Sequence, residues 1–218
     1  MYKYGDVIRK RILYFNVYVI KGKTGDILID TGFICMKKYL KKWLSQFNIK
    51  LIILTHAHVD HIWNVSYIKK LYNCEVALYK DDIVNLDNSI INSKPLNDKF
   101  NLWTKVMNFG MKHFKQEEFD VDIELRDRQV IKRYGLTLKI YHLPGHTNGT
   151  IGIKYKDNLF VGDALVNRFG HPSLAYQNQS LDDAKRSVRV IENIKPDIIY
   201  LGHDKPIIYK EDILMNSF

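Results

Sequence analysis

Three of the chain's eight histidines fall within the six positions 56–61, in the stretch LTHAHVDH (Leu54–His61). The run before it, KLIIL (50–54), is continuously apolar and predicts a buried strand, and the run after it, IWNVSYIKKLY, predicts a helix. The motif therefore occupies a strand-to-helix turn, a rigid place from which side chains project beyond the edge of a sheet. His56 and His58, two apart, point the same way in extended chain. Asp60 and His61 follow once the chain begins to curl, so they aim at a point a few ångströms away. One turn of this kind is able to feed two metal ions. A hydrogen-bonded polar turn is the alternative, but the residue frequencies give only about 0.001 accidental matches to this spacing in the chain.

Three more residues of metal-ligand type sit in similar places. His146 in HLPGHTNGT, Asp163 in LFVGDAL and His203 in IIYLGHDKP each follow a glycine at the end of an apolar run. Glycine permits close backbone approach, and strand-end loops are where binding residues concentrate. His56, His58, Asp60, His61, His146, Asp163 and His203 together offer five imidazoles and two carboxylates. That is enough for two divalent sites, with zinc expected first and iron or manganese accepted by the same donors.

Composition narrows the setting. The 218 residues suit one large domain, and 46% hydrophobic with 26% charged residues is ordinary for a globular protein with a core. No stretch reaches the ~18 apolar residues of a membrane span. The N-terminal region lacks a signal-peptide pattern, and its run from Ile12 to Ile20 reads as a buried strand. Cys35 and Cys74 show no disulfide-framework spacing, so both are expected as free thiols and the cytoplasm as the location. A net charge of +9 permits an acidic partner, but KKYLKK (37–42) and IKK (68–70) are short and scattered. A solvated lysine-rich surface is the expectation, and a nucleic-acid partner is not.

Strands are predicted at 13–20, 26–30, 50–54, 75–79, 136–143, 150–155, 158–162 and 197–202. Helical spacing appears at Met36, Leu40, Trp43, Leu44 and Phe47, and again at Leu181, Ala184, Val188 and Ile191. Ser180 with Asp183 reads as a capping start for the second helix. This pattern lacks strict βαβ alternation and suggests sheets covered by helices on their outer faces. Residues 85–120 carry Trp103, Met107 and Phe114 at roughly helical spacing, read here as a helical lid inserted in a single domain spanning 1–218. GDILIDTGF (25–33) and DNLFVGDAL (157–165) echo each other, each running a strand into an Asp and Gly turn.

His56-x-His58-x-Asp60-His61, followed in order by His146, Asp163 and His203, resembles the metal motifs of the metallo-β-lactamase superfamily, and Asp30-Thr31-Gly32 resembles its first motif. The resemblance runs from about Asp26 to His203. It implies an α/β (α+β) fold: a four-layer αβ/βα sandwich of two mixed β-sheets flanked by helices, with a binuclear centre in the groove between the sheets. It also implies that His56, His58 and His146 hold one metal, that Asp60, His61 and His203 hold the second, and that Asp163 bridges them. Antibiotic-degrading members commonly carry another residue where this chain has Asp163, and flavodiiron members carry a glutamate at the position of His58. The chain therefore looks most like the glyoxalase-II-like hydrolases. Only 15 residues follow His203, where glyoxalase II carries a helical glutathione-binding region, so glutathione thioesters are not the expected substrate.

The reaction expected is hydrolysis of a small ester, thioester or lactone by a metal-bridging hydroxide, with Asp60 orienting the nucleophile and relaying a proton. No Gly-x-Ser-x-Gly nucleophile motif is present. The alternatives are a mononuclear iron sulfur dioxygenase, a phosphodiesterase acting on RNA, and a non-catalytic metal-binding module. Asp30 and Thr31 either orient a ligand imidazole or close a strand-end turn, and the structural role is favoured. His142 is read as a satisfied strand residue, His171 as a loop residue, His113 as exposed on the lid, and Trp63 as core. Substrate identity and oligomeric state have no readable signature, although 85–120 and 164–180 are the segments expected to set specificity.

Overall fold

Alternate residues of a strand face opposite sides of its sheet, and here that alternation builds the molecule in layers. The structure is a computed structural model that describes residues 2–84, 86, 94–95, 117–168 and 170–210. One sheet runs, in spatial order, β1 (Tyr2–Tyr4), β2 (Val7–Ile12), β3 (Phe15–Ile20), β4 (Asp26–Ile29), β5 (Ile49–Ile53), β6 (Glu75–Tyr79) and β8 (Ile123–Leu125). Its strands are antiparallel as far as β4 and parallel from there on. The other sheet runs β17 (Ile207–Ile208), β16 (Ile198–Leu201), β12 (Asn158–Gly162), β11 (Ile151–Tyr155), β10 (Leu136–His142) and β9 (Val130–Arg133). Within it β12 and β16 are the parallel pair. Two short ribbons pair β7 (Lys94–Pro95) with β15 (Gln177–Asn178), and β13 (Val166–Arg168) with β14 (His171–Ser173).

Ile27, Ile29, Leu51, Ile53, Ala77 and Tyr79 meet Leu138, Ile140, Ile151, Ile153 and Phe160 between the sheets. The intervening residues Leu28, Ile52, Leu54, Val76 and Leu78 face outward, against Leu40, Trp43 and Leu44 of α1 (Lys37–Leu44) and Val65 and Ile68 of α3 (Val65–Tyr72). On the other side Leu159, Val161, Ile199 and Leu201 pack under Ala184, Val188 and Ile191 of the helix Leu181–Ile194. The result is the expected α+β sandwich of two mixed sheets with helices on both outer faces. Ser180 caps that last helix by accepting from the Asp183 amide, as the capping pattern predicted. Two one-turn helices, α2 (Val59–Ile62) and α4 (Lys80–Ile83), follow β5 and β6, which makes Leu181–Ile194 α5. No helix among the described residues is long and apolar enough to cross a membrane.

Some boundaries differ from the sequence reading. Ile12 to Ile20 is not one buried strand. Leu13 takes a positive φ of 56°, and Leu13 and Tyr14 are exposed at the tip of the β2–β3 hairpin. The predicted strand at 13–20 therefore begins at Phe15. Strand β2 went unpredicted because Arg9, Lys10 and Arg11 mask its apolar residues. The lid expected at about 85–120, with His113, lies almost wholly outside the described residues.

Candidate metal centre

The parallel strands β4, β5, β12 and β16 end at one edge of the sandwich, and the seven residues singled out by the sequence meet there. His56 and His58 leave the end of β5, and Asp60 and His61 lie on the first turn of α2. His146 comes from the β10–β11 loop, Asp163 follows β12 and His203 follows β16. Three overlapping groups hold their donor atoms within 4.8 Å of one another: His56, His58 and His146; His56, His61 and Asp163; Asp60, His61 and His203. The approach is close enough that a Cβ on Gly202 would lie 2.2 Å from Asp163 Oδ1 and 2.5 Å from His61 Cε1.

Hydrogen bonds fix which ring nitrogen faces inward. His146 Nδ1 lies 2.8 Å from the Gln177 carbonyl and His203 Nδ1 3.0 Å from the Tyr14 carbonyl. A carbonyl only accepts, so both Nδ1 atoms carry hydrogen and both Nε2 lone pairs point into the cluster. His61 Nδ1 donates to Asp30 Oδ2 at 2.8 Å. The Thr55 hydroxyl donates to Asp30 and lies 3.1 Å from His56 Nδ1, which leaves His56 Nε2 facing inward. Asp30 thus orients His61 directly and His56 through Thr55, which corrects its reading as a turn-closing residue. Thr31 is structural: its hydroxyl donates to the His61 carbonyl. The partners of His146 and His203 are backbone carbonyls with no sequence signature. For Asp30 the sequence offered both the orienting and the turn-closing role, and the hydrogen bond to His61 selects the one that was not favoured.

The spacing of the inward atoms fits cations. Ligands held ~2.0–2.1 Å from one tetrahedral ion lie ~3.3–3.4 Å from each other. His56 Nε2 and His58 Nδ1 are 3.0 Å apart, and His203 Nε2 is 3.2 Å from Asp60 Oδ2 and 3.1 Å from Asp163 Oδ2. His61 Nε2 is 3.5 Å from Asp163 Oδ1, and His146 Nε2 is 3.7 Å from Asp163 Oδ2. Among the described residues, the buried Nε2 atoms of His61 and His146 and Oδ1 of Asp163 have no hydrogen-bond partner. Buried polar atoms are seldom left that way, and a bound ion accounts for them.

Charge divides the cluster. Burial holds His58 down to about 3 and keeps His56 and His146 below the ordinary histidine value. At His61 burial is outweighed by Asp30, Asp60 and Asp163, which raise it to about 10, and at His203 it is outweighed by Asp163 and Asp60. Asp60 and Asp163 in turn sit below the usual carboxylate range, because His61 and His203 overcome their burial. The side chains of His203 and Asp60 are 21% and 26% exposed, against 10% or less for His61, His146 and Asp163. The cluster therefore opens to solvent on the Asp60–His203 side. A row of half-buried rings continues from there: Phe15 lies edge-on to His203 at 5.4 Å, Phe33 is 5.8 Å from Phe15, and Trp63 is 5.4 Å from Phe33. Trp63 is thus half-buried beside the site, where it was expected in the core. His142 is satisfied, with Nε2 2.7 Å from the Asn148 carbonyl and its ring stacked on Tyr79, and His171 is exposed on β14.

A sequence model of the metallo-beta-lactamase superfamily matches residues 13–203. The chain belongs to that superfamily. Among its relatives, a probable metallo-hydrolase of Methanocaldococcus jannaschii is 30% identical over 195 residues, covering 86% of each chain. A probable metallo-hydrolase of Bacillus subtilis is 25% identical over 209 residues, covering 92% of this chain and 86% of the other. The crystal structure of BJP-1, a subclass B3 metallo-beta-lactamase of Bradyrhizobium japonicum, superposes with a TM-score of 0.67 over 91% of this chain and 75% of that one, at 24% identity. At that identity the likeness speaks for the superfamily fold alone. Superfamily membership and the converging ligand groups together make the chain a metal-dependent hydrolase.

Proposed function

We propose that the chain is a binuclear metallo-hydrolase of a small ester, thioester or lactone, in the glyoxalase-II-like branch of its superfamily. The main support is the convergence of seven donor groups whose lone pairs face inward at separations suited to two ions. The branch assignment is supported by an intact Asp163 and by histidine at 58. His56, His58 and His146 hold the first ion, Asp60, His61 and His203 the second, and Asp163 lies between them. When bound, two divalent ions, zinc first and iron or manganese by the same donors, supply Lewis acidity and lower the pKa of water from 15.7 toward ~7. Asp60, at the open side of the cluster, orients the attacking water and relays its proton to the departing group. Asp30, Gln177 and Tyr14 keep the imidazoles turned inward. The ring row Phe15–Phe33–Trp63 receives the apolar part of the substrate.

Metal content of the purified chain, followed by a screen of thioester, lactone and phosphodiester substrates, tests the reading. Two ions per chain and hydrolysis of an ester-class substrate are expected. Asp163→Ala and His61→Ala should each abolish turnover while the far-ultraviolet circular dichroism is kept; full activity in either variant rejects the mechanism. One iron per chain with oxygen consumption would point to oxidation instead.

A further inference from the structure

Asp82, on α4, is a buried carboxylate outside the ligand cluster. Its oxygens collect three donors, none of them local. The Ala57 amide and the Thr147 hydroxyl each reach Oδ2 at 2.8 Å, and the Gly149 amide reaches Oδ1 at 2.8 Å. These partners lie 25, 65 and 67 residues away in sequence, so Asp82 is no cap for its own short helix. Ala57 lies between His56 and His58, and Thr147 directly follows His146. One carboxylate therefore ties together the two loops that carry His56, His58 and His146.

The fit around it is tight. A Cβ on Gly149 would stand 2.6 Å from the Asp82 backbone nitrogen and 2.6 Å from its carboxyl carbon, so the loop touches α4 through bare backbone. Thr150 supports the arrangement: its hydroxyl oxygen accepts from the Thr147 amide at 2.9 Å and lies 2.8 Å from the Thr147 hydroxyl. All three groups facing Asp82 are donors, and a carboxylate accepts from them without presenting a hydrogen of its own. An asparagine would turn an NH2 group toward at least one of them. Burying a carboxylate with no cationic partner among these three groups is costly, and what the chain obtains in exchange is a fixed angle between two remote loops. His61 and His203 are held by other groups, Asp30 and the Tyr14 carbonyl.

We infer that Asp82 is a positioning residue for the first metal site, setting His56 and His58 against His146 while leaving the second site to Asp30 and Tyr14. The inference rests on the two-ion reading above and is independent of the substrate. Removing an outer partner of a metal ligand commonly weakens affinity about 10–100-fold, and here the loss should fall on one site.

The test is competitive titration of the full chain with cobalt(II), followed by its visible absorption, with His58→Ala and His203→Ala assigning the two binding steps. Asp82→Asn should weaken the first-site step about 10–100-fold and leave the second within about threefold. Thr147→Val, which removes one donor and keeps the shape, should weaken the same step, and Thr147→Ser should restore it. Equal weakening of both steps, or wild-type affinity in Asp82→Asn, would overturn the assignment. Should circular dichroism show Asp82→Asn unfolded, the Thr147→Val and Thr147→Ser pair decides by the same split. A wild-type chain that takes up no cobalt refutes the metal centre and this inference with it. Uptake of two ions without hydrolysis refutes only the reaction.

Discussion

His61 stands between carboxylates that follow strands of two different sheets: Asp30 Oδ2 accepts from its Nδ1 at 2.8 Å, and Asp163 Oδ1 lies 3.5 Å from its Nε2. The two Asp-bearing turns that echo each other in sequence, after β4 and after β12, thus meet on one imidazole. Cys74 illustrates a different use of burial. Burial is the chief cause that pushes its thiol up to about 11, with Lys69 opposing and Asp122 adding. A raised thiol pKa keeps the group protonated and unreactive until the pH approaches that value. Brief alkylation of the folded chain at pH 8, read by mass spectrometry, should label the exposed Cys35 and spare Cys74, whose labelling should climb as the pH nears 11. Equal labelling of both at pH 8 would contradict this.

Helix α5 links packing to the site. Its Ala184, Val188 and Ile191 cover the second sheet, and the Ser187 hydroxyl donates to the Pro144 carbonyl at 2.7 Å. The Ser180 amide donates to the Gly145 carbonyl at 3.0 Å, so the start of the helix also braces the loop that carries His146. Ser180 accepts from the Asp183 amide at 3.2 Å. Ser180→Ala should cost about 1 kcal/mol in urea unfolding, the usual loss for an N-cap. A change in stability below about 0.3 kcal/mol would show that packing alone holds the helix end.

Ligands in sheets of this kind gather beyond the carboxyl ends of parallel strands, and here both sheets deliver such ends to the same edge. The site therefore depends on how the sheets pack. Tyr18, Phe160 and Tyr200 form much of that contact, with ring centroids 4.7 to 5.2 Å apart. Phe160→Ala should lower stability by about 3–5 kcal/mol, whereas Tyr39→Ala, at an exposed position of α1, should stay within about 0.5 kcal/mol. Chemical unfolding measures both, and a small loss at Phe160 would mean that the sheets are held together elsewhere.

The seven residues that converge at the sheet edge were legible because their signals are local: residue chemistry, a strand end and an apolar run before it lie within a few positions of each other. The layering was legible for the same reason, since alternation along β4, β5 and β6 can be read off each strand alone. The hairpin at Leu13 and Tyr14 was not, because a leucine at positive φ sits where turn residues usually announce themselves, leaving an unbroken apolar run. Nor were the groups that aim the histidines. Asp30 on His61, the Gln177 carbonyl on His146, the Tyr14 carbonyl on His203 and Asp82 across two loops bridge between 25 and 189 residues. Such bonds exist only after strand order has brought distant segments side by side, so no window of sequence contains both partners.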